Sequence, residues 1–284
     1  MRSWGRWRKR LVEALKHVVM GTITGLVFYP FVMLIVVSFK NTDQFMHNPW
    51  FVTFPLHFAN YPAALELLVR YAANSVFVSG VSCLGTVFLA AFTAYVFARF
   101  EFVGRQFLFY LIISLMMVPG ILGLVPMFMI VKRLGLLNTY WALILPYIAG
   151  GQVLGIFLLR TFFSAIPSDL FDSAEIDGAG DFRTFISVAM PLCKPMMATI
   201  AIISFHGTWN DLIWPLVVIS DDKLKTITIG LLAFQSRFQS YGVAVTQYGP
   251  LFAGYVVAAI PLLALFLCAS RYFVEGLTSG ALKA

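Results

Sequence analysis

Five carboxylate side chains cluster in one polar stretch of an otherwise apolar chain. They are Asp169, Asp172, Glu175, Asp177 and Asp181. Four of them, from Asp172 onward, could in principle hold a metal ion beside a substrate, as the active site of a membrane-embedded transferase for lipid-linked sugars would require. Gly178 and Gly180 interrupt the same stretch, however, and glycine is the residue that most readily ends a helix. The carboxylates therefore allow an enzyme but do not by themselves indicate one.

The sequence contains no motif for nucleotide binding, metal binding or redox chemistry. No Gly-x-x-x-x-Gly-Lys-Ser/Thr loop is present to bind nucleotide phosphates, and no two of the four histidines stand at metal-ligand spacing. The three cysteines form no redox or metal motif. Asp221 and Asp222 have no neighbouring base in the sequence. We therefore expect that the chain is not an enzyme on its own and holds no metal or cofactor.

The elements that carry these residues are too apolar for a soluble protein. Of the 284 residues, 60% are hydrophobic and 12% are charged, whereas soluble chains carry about 25% charged residues. Six apolar blocks reach the length of about 20 residues that a helix needs to cross a bilayer. They cover about 17–39, 71–98, 106–131, 134–159, 195–220 and 249–270. We predict an all-α polytopic membrane protein with six transmembrane helices, the first of them a retained span and not a cleaved signal peptide.

Two pairs of glycines within these blocks have the spacing of close helix packing. Gly21 and Gly25 lie in the first block, and Gly151 and Gly155 lie in the fourth. The Gly-x-x-x-Gly spacing places both glycines on one helix face, where a neighbouring backbone can approach. Close packing is all that this pattern predicts.

The distribution of basic residues predicts how the spans are oriented. About two thirds of the 20 Lys and Arg residues lie on the side that holds the basic leader 1–16 and the tail 271–284. Because Lys and Arg accumulate on the cytoplasmic side, both termini and the loop 160–194 are predicted to be cytoplasmic. Residues 40–70 and 221–248 are then external. The net charge of +7 is thus a signal of topology, and we expect no nucleic-acid partner.

The cytoplasmic loop is predicted to form two short helices joined by a glycine turn. Pro167-Ser168-Asp169 is typical of a helix start, and the second helix can run from Asp181 to Pro191. Leu170, Phe171 and Ala174 would share one face of the first helix, and Phe182, Phe185, Ile186 and Ala189 would be carried by the second. From the residues alone, this hairpin is either a plain connection between two spans or an element that fits a groove on a soluble partner.

In its spacing the hairpin resembles the cytoplasmic loop of permease subunits from ATP-binding-cassette importers. That loop has the form Glu-Ala-Ala, three residues, Gly, nine residues, Ile-x-Leu-Pro. The corresponding residues here are Asp172-Ser173-Ala174, Gly178 and Val188-Ala189-Met190-Pro191. Ala174, Gly178 and Pro191 are identical to the pattern, and the other positions are conservative departures from it.

Further segments are similar to the sugar-importing branch of these permeases, and in particular to the second permease subunit of maltose-type importers. They are Asp177-Gly178-Ala179, Lys194-Pro195, residues 134–139, Trp209-Asn210-Asp211 with Trp214-Pro215, and the ending 271–280. The resemblance extends over most of the chain.

The resemblance implies a division of labour among several subunits. Two permeases, here expected as a heterodimer, form the pathway in the bacterial cytoplasmic (inner) membrane, and two ATPase subunits bind ATP and Mg beneath them. An extracytoplasmic solute-binding protein delivers the carbohydrate. The residues that the resemblance assigns to ATPase coupling are Asp169, Leu170, Asp172, Ser173, Ala174, Asp177, Gly178, Ala179 and Asp181.

Asp211 is the one charged residue inside a predicted span. An intramembrane charge is a functional-site hypothesis by default. In one interpretation Asp211 lines the substrate pathway beside Asn210, with Trp209 and Trp214 available to stack on sugar rings. In the other, which we favour, Asp211 is a polar group that bridges helices. A proton- or sodium-coupled carrier is disfavoured, because such carriers place ionisable residues in several spans.

Overall fold

The structure, a computed structural model, describes residues 2–238 and 247–281. Within these ranges the chain folds into helices joined by turns, and no strand is present there. The α-helices are α1 (Arg2–Ser38), α2 (Thr42–His47), α3 (Asn60–Arg99), α4 (Arg105–Ser114), α5 (Leu124–Arg133), α6 (Trp141–Phe163), α7 (Asp169–Ile176), α8 (Asp181–Thr184), α9 (Met190–Leu192), α10 (Lys194–Asn210), α11 (Ile213–Val218), α12 (Ile227–Phe238) and α13 (Tyr248–Ala281). Short 3-10 helices cover Leu115–Met117 and Gly120–Gly123, and a π-helical turn covers Phe185–Ala189.

Four of the described helices are long and apolar enough to cross a membrane, by length and composition. They are Arg10–Ser38, Asn60–Arg99, Trp141–Phe163 and Tyr248–Cys268. Two bent pairs meet the same test, and the number is six if each pair is one span. The predicted fold class, an all-α polytopic membrane protein, is confirmed, whereas the orientation of the termini stays a prediction.

The third predicted span, 106–131, is not one continuous helix. It consists of Arg105–Met117 and Gly120–Arg133, which are bent by 100° relative to each other. The break lies at Pro119, whose ring removes a backbone donor and disfavours the helical conformation in the residue before it. Val118 accordingly has an extended backbone with ψ 119°. The apolar composition of the block gave no sign of this break.

Two other predicted spans also need correction. The fourth was placed at 134–159, but α6 begins only at Trp141 because Gly135 and Asn138 adopt left-handed conformations, with φ 68° and 57°. The fifth, 195–220, is divided into α10 and α11 at Asp211. Helix α12 lies inside the predicted external segment 221–248, where no helix had been predicted.

The chain forms two compact units, of which the first comprises Met1–Leu68 and Ala233–Val257. Its centre is the end of α1, where the Asn60 side-chain amide donates to the carbonyls of Ser38 and Lys40, both at 2.9 Å. Gly249 is required beside them, because a Cβ atom there would lie 1.9 Å from the Lys40 carbonyl oxygen. Burial lowers the pKa of the Lys40 ammonium below its ordinary value.

The second unit comprises Val69–Leu232 and Ala258–Ala284. Helices α3 and α6 approach closely in it, because a Cβ on Gly151 would lie 2.5 Å from Thr86 and one on Gly155 would lie 2.7 Å from Ala90. The close packing predicted for this glycine pair is confirmed. For Gly21 and Gly25 of α1, no described atom lies within 4 Å of the position of a Cβ.

Candidate functional site

The first helix of the hairpin, α7, begins where the sequence predicted. It starts at Asp169, and the Ser168 carbonyl accepts hydrogen bonds from the Phe171 and Asp172 backbone N–H groups at 2.8 and 3.0 Å. Asp169 and Asp172 lie in its first turn, where a negative charge interacts favourably with the helix dipole. These acidic groups therefore help to hold a helix of only eight residues.

A complete Schellman motif ends α7. The Ala179 N–H donates to the Ala174 carbonyl at 2.9 Å, and the Gly178 N–H donates to the Glu175 carbonyl at 2.9 Å. These are the two hydrogen bonds that define the motif, and they require a left-handed residue after the helix. Gly178 is that residue, with φ 77°. The interval between Ala174 and Gly178 in the importer pattern is thus the geometry of a helix end.

The second limb of the hairpin runs from Asp181 to Leu192. It comprises α8, the π-helical turn Phe185–Ala189 and α9. The predicted helix from 181 to 191 is therefore present, although the π-helical turn widens it just before Pro191. Phe185 and Ala189 are buried, whereas Phe182 and Ile186 are exposed, so the four apolar residues do not share one face.

Two aromatic side chains fix the hairpin to the long helices of its unit. Phe185 is fully buried and packs against Tyr95 of α3 with ring centroids 5.3 Å apart. Phe171 is also buried, and the Arg99 guanidinium lies 3.9 Å above its ring. Tyr95 in turn contacts Phe163 at the end of α6, at 5.9 Å. Because this interior is close-packed, a displacement of the hairpin must be carried into α3 and α6.

The outward side of the hairpin presents the residues that the sequence assigned to coupling. Most of these are exposed, and only Ala174 and Ala179 are half-buried. The exposed ones are Asp169, Leu170, Asp172, Ser173, Asp177, Gly178 and Asp181. Ile176 was missed, although at 86% exposure it is the most exposed apolar side chain at the tip. Its position in the sequence, a large aliphatic residue between Glu175 and Asp177 in a polar turn, could have indicated that Ile176 is exposed.

The hairpin carboxylates do not form a metal site. Among the side chains that the structure describes, no three His, Cys, Asp or Glu residues converge where a metal ion could bind. The transferase alternative required such a cluster between Asp172 and Asp181. The geometry therefore favours an element that presents charge outward over one that encloses a reaction.

Asp211 connects three helices of the second unit. One carboxylate oxygen accepts the backbone N–H groups of Ile213 at 3.0 Å and Trp214 at 3.3 Å, so it caps α11. The other accepts the Tyr147 hydroxyl of α6 at 2.9 Å. The Asp211 carbonyl accepts the Thr228 hydroxyl of α12 at 2.7 Å. These contacts are those of a group that bridges helices.

The same carboxylate also borders two cavities of about 340 Å³ each. Asp211 and Tyr147 line both of them, together with Gly120 and Gly123 in the first and Ser204 in the second. The first cavity therefore lies where two broken helices meet, the Pro119 break and the Asp211 break. Irregular backbone at membrane depth is tolerated where it lines a cavity, and in transporters such breaks surround the solute site. Both interpretations of Asp211 thus have structural support.

The other predicted pathway residues are placed differently. Trp209 is buried and stacks on Phe205 with centroids 5.7 Å apart. Trp214 borders the first cavity, but only 7% of it is exposed, and its ring N–H donates to the Ala142 carbonyl at 3.0 Å. Asn210 is exposed, and its amide donates to a backbone carbonyl of its own helix. In this conformation neither tryptophan offers a free face to a sugar ring.

Sequence reasoning missed Tyr147, which lines both cavities with Asp211. It follows Pro146 in the middle of an apolar block, and its hydroxyl is the polar atom that reaches Asp211 from α6. A tyrosine with a polar tip in the centre of a span was the available signal. The pairing could not be read from the sequence, because the two residues lie far apart in the chain.

Comparisons of the sequence with known proteins match permease components over most of the chain. A family model described as "Binding-protein-dependent transport system inner membrane component" matches residues 86–278. The chain is 36% identical to "Probable ABC transporter permease protein YurM" of Bacillus subtilis, over 90% of this chain and 83% of that protein. It is 31% identical to "Trehalose/maltose transport system permease protein MalG" of Thermococcus litoralis, over 97% of each.

A solved structure shares the fold. It is a bacterial ABC transporter involved in the import of the acidic polysaccharide alginate, and one of its chains superposes with a TM-score of 0.82 at 20% identity. The match covers 94% of this chain and 98% of that one. At this identity the likeness shows the fold alone.

Proposed function

The chain belongs to the family of binding-protein-dependent transport system inner membrane components, and we propose that it is the permease subunit through which an importer moves a sugar or oligosaccharide. It is a multi-pass membrane protein. The proposal locates it in the bacterial cytoplasmic (inner) membrane, as half of a pathway completed by a second permease. An extracytoplasmic binding protein supplies the solute, and two ATPase subunits bind ATP and Mg. In this proposal the chain itself catalyses no reaction.

One observation carries the coupling part of the proposal: the hairpin is rigid on one side and exposed on the other. Phe171 and Phe185 are buried against long helices, whereas the tip presents Ile176 and several exposed carboxylates. A cleft on a soluble ATPase that contains basic groups around an apolar centre would fit this surface.

Coupling then follows from the way in which the hairpin is held. ATP binding that closes the ATPase pair displaces α7, and the Phe171 and Phe185 contacts pass that displacement to α3 and α6. Nucleotide state and transport state are in this way two equilibria that share one bistable element. The ATPase shifts the spans only as far as it binds one arrangement of the hairpin better than the other.

The solute pathway is proposed at the Asp211 cavities. Asp211 and Tyr147 place a carboxylate and a hydroxyl on the walls of both cavities, and such groups can exchange hydrogen bonds with sugar hydroxyls. The relatives support a carbohydrate, since MalG is named for trehalose and maltose. Which carbohydrate enters depends in part on the second permease.

Site-directed cross-linking tests the docking role. Ile176→Cys places a thiol at the tip, and Leu216→Cys, at an exposed position of α11 far along the chain, is the matched control. In vesicles that contain both permeases, the ATPase subunits and the binding protein, we expect a cross-link to an ATPase subunit from position 176 and none from 216. Solute uptake should require ATP and should stop when position 176 is cross-linked. Absence of the ATPase cross-link at 176, in vesicles that still take up solute, would refute the docking role.

A further inference from the structure

An apolar surface is exposed just after α1, on residues 41–58, which we call the cap segment. No Asp, Glu, Lys or Arg lies between Asp43 and Glu66. The large side chains of the cap segment face outward, with Trp50 61% exposed and Phe54 80% exposed. Phe51 and Phe58 are exposed to a similar degree. An aromatic patch of this kind on a soluble surface marks a site of contact with a protein or a membrane.

Polar side chains bind several backbone groups of the cap segment, although Asn41, Asp43 and His47 are themselves exposed. The Lys40 ammonium is buried and donates to the carbonyls of Asn48 at 2.5 Å and Phe51 at 2.6 Å. Among the described side chains, no carboxylate pairs with it. Lys40 therefore acts as a fixed cation that satisfies backbone carbonyls of the irregular stretch after α2.

Further side chains satisfy the backbone of the same segment. Gln44 donates to the Pro55 carbonyl at 3.0 Å, and the Asn48 side chain accepts the Phe51 N–H at 3.2 Å. Asn41 and Gln44 form a capping box at the start of α2. Irregular backbone next to lipid needs its polar groups satisfied in this way, by side chains of the protein itself.

The cap segment folds back along α1 instead of extending away from it. Trp50 stacks on Tyr29 with centroids 6.5 Å apart, and Phe58 contacts Phe39 at 5.2 Å. Because each helical residue advances about 1.5 Å, Tyr29 lies about 13 Å along the axis from the end of α1 at Ser38. Every side chain of α1 from residue 10 to 32 is exposed. The aromatic patch is thus continuous with the apolar surface of a membrane span.

We propose that the cap segment is an interfacial membrane anchor, which inserts Trp50, Phe51, Phe54 and Phe58 among the phospholipids at the C-terminal end of α1. Aromatic side chains concentrate at this depth of a bilayer, where an apolar ring and a polar edge are both accommodated. Continuity with the exposed span and the internally hydrogen-bonded backbone favour lipid over a soluble protein as the occupant. The anchor fixes the depth of α1 in the bilayer. Lys40 is the residue that positions the anchor.

Spin labelling in vesicles tests the proposal. The full-length chain carries Cys268→Ser to remove an exposed thiol, and Cys83 and Cys193 are buried. Phe54→Cys receives the nitroxide, and Asp43→Cys, an exposed polar position of the same segment, is the matched control. The vesicles contain phosphatidylcholine and phosphatidylglycerol. We measure collision of each label with oxygen, which dissolves in lipid, and with a water-soluble nickel chelate.

We expect oxygen to dominate at position 54 and the nickel chelate to dominate at position 43, with a severalfold difference in the ratio between the two sites. Equal access of the nickel chelate to both positions would place the cap segment in water and overturn the proposal. Protection of position 54 from both reagents would also overturn it, because the occupant would then be protein.

A second measurement remains informative if the labelled variants fold poorly. Lipids brominated on their acyl chains quench tryptophan fluorescence on contact. We compare the native chain with Trp50→Phe, and we expect the variant to lose a measurable part of the quenching. Identical fractional quenching in both proteins would show that Trp50 does not contact lipid. Neither measurement depends on transport, so either can fail while the proposed function holds.

Discussion

The glycine that ends α7 gives a prediction whose size follows from backbone geometry. Gly178 has φ 77°, and a Cβ atom built on it would meet no heavy atom within 4 Å. Gly178→Ala therefore adds no collision. Its only cost is the free energy of holding an alanine in the left-handed conformation. That cost is about 1–2 kcal/mol. The Schellman turn of the variant should open about 5- to 30-fold more often than in the native chain.

Hydrogen exchange measures this opening directly. The amides of residues 178 and 179 donate the two hydrogen bonds of the motif, so they should exchange about 5- to 30-fold faster in Gly178→Ala, where opening and closing are rapid. Amides of α6 should not change. ATP-dependent uptake should fall in the same variant, since a frayed tip presents Ile176 and its carboxylates to the ATPase in the wrong positions.

Gly180→Ala is the matched control. It is the same substitution two residues later in the same turn, but Gly180 has φ −69° and open space around it, so alanine fits there without strain. We expect native exchange and native uptake. Equal acceleration of exchange in both variants, or none in Gly178→Ala, would refute the assignment of Gly178 to a strained helix end. Faster exchange with undiminished uptake would show that coupling tolerates a frayed tip.

The remaining predictions concern the interior of the second unit and are measured by thermal or chemical unfolding of the purified chain. Asp211→Asn keeps an acceptor for the cap of α11 and should leave folding near normal, whereas Asp211→Leu loses the cap and leaves the Tyr147 hydroxyl unpaired, at a cost of about 2 kcal/mol or more. Tyr147→Phe should cost about 1–2 kcal/mol and, if the cavities carry solute, change the relative uptake of different sugars. Gly151→Val should destabilise the chain by about 1–3 kcal/mol through collision with Thr86, whereas Gly21→Val in the open surface of α1 should be nearly neutral.

The sequence predicted the hairpin well because the signals for it are local. Pro167 and Asp169 mark the start of α7, and Gly178 marks its end, within a single stretch of chain. Each of these residues acts through its own backbone or through the nearest turn, so no distant contact is needed to interpret it. The number of apolar blocks was predictable for a similar reason, since crossing a bilayer depends on length and composition.

What the sequence could not predict depends on distant contacts or on breaks within apolar blocks. Average hydropathy over residues 106–131 is not sensitive to one proline, so the 100° bend at Pro119 was missed. The Tyr147–Asp211 hydrogen bond joins different helices, and no pattern in either helix specifies the other. Trp209 was available to a sugar ring only in the less favoured interpretation of Asp211, and its ring is buried against Phe205.

Two of the departures from the importer pattern, at Asp172 and Ser173, are explained by the structure of the hairpin. Ala174 and Gly178 match the pattern, and both act through the backbone. The Ala174 carbonyl accepts the longer Schellman hydrogen bond, and Gly178 supplies the left-handed turn. Asp172 and Ser173 depart from the pattern, and both side chains are exposed on the outward face. At positions that build the turn, the residue type is therefore limited by backbone geometry. At outward positions, it is limited only by the surface that the side chain contacts. An acidic residue at 172 in place of the longer glutamate keeps the charge, so under the proposed docking this departure would alter the fit to the ATPase without altering the turn.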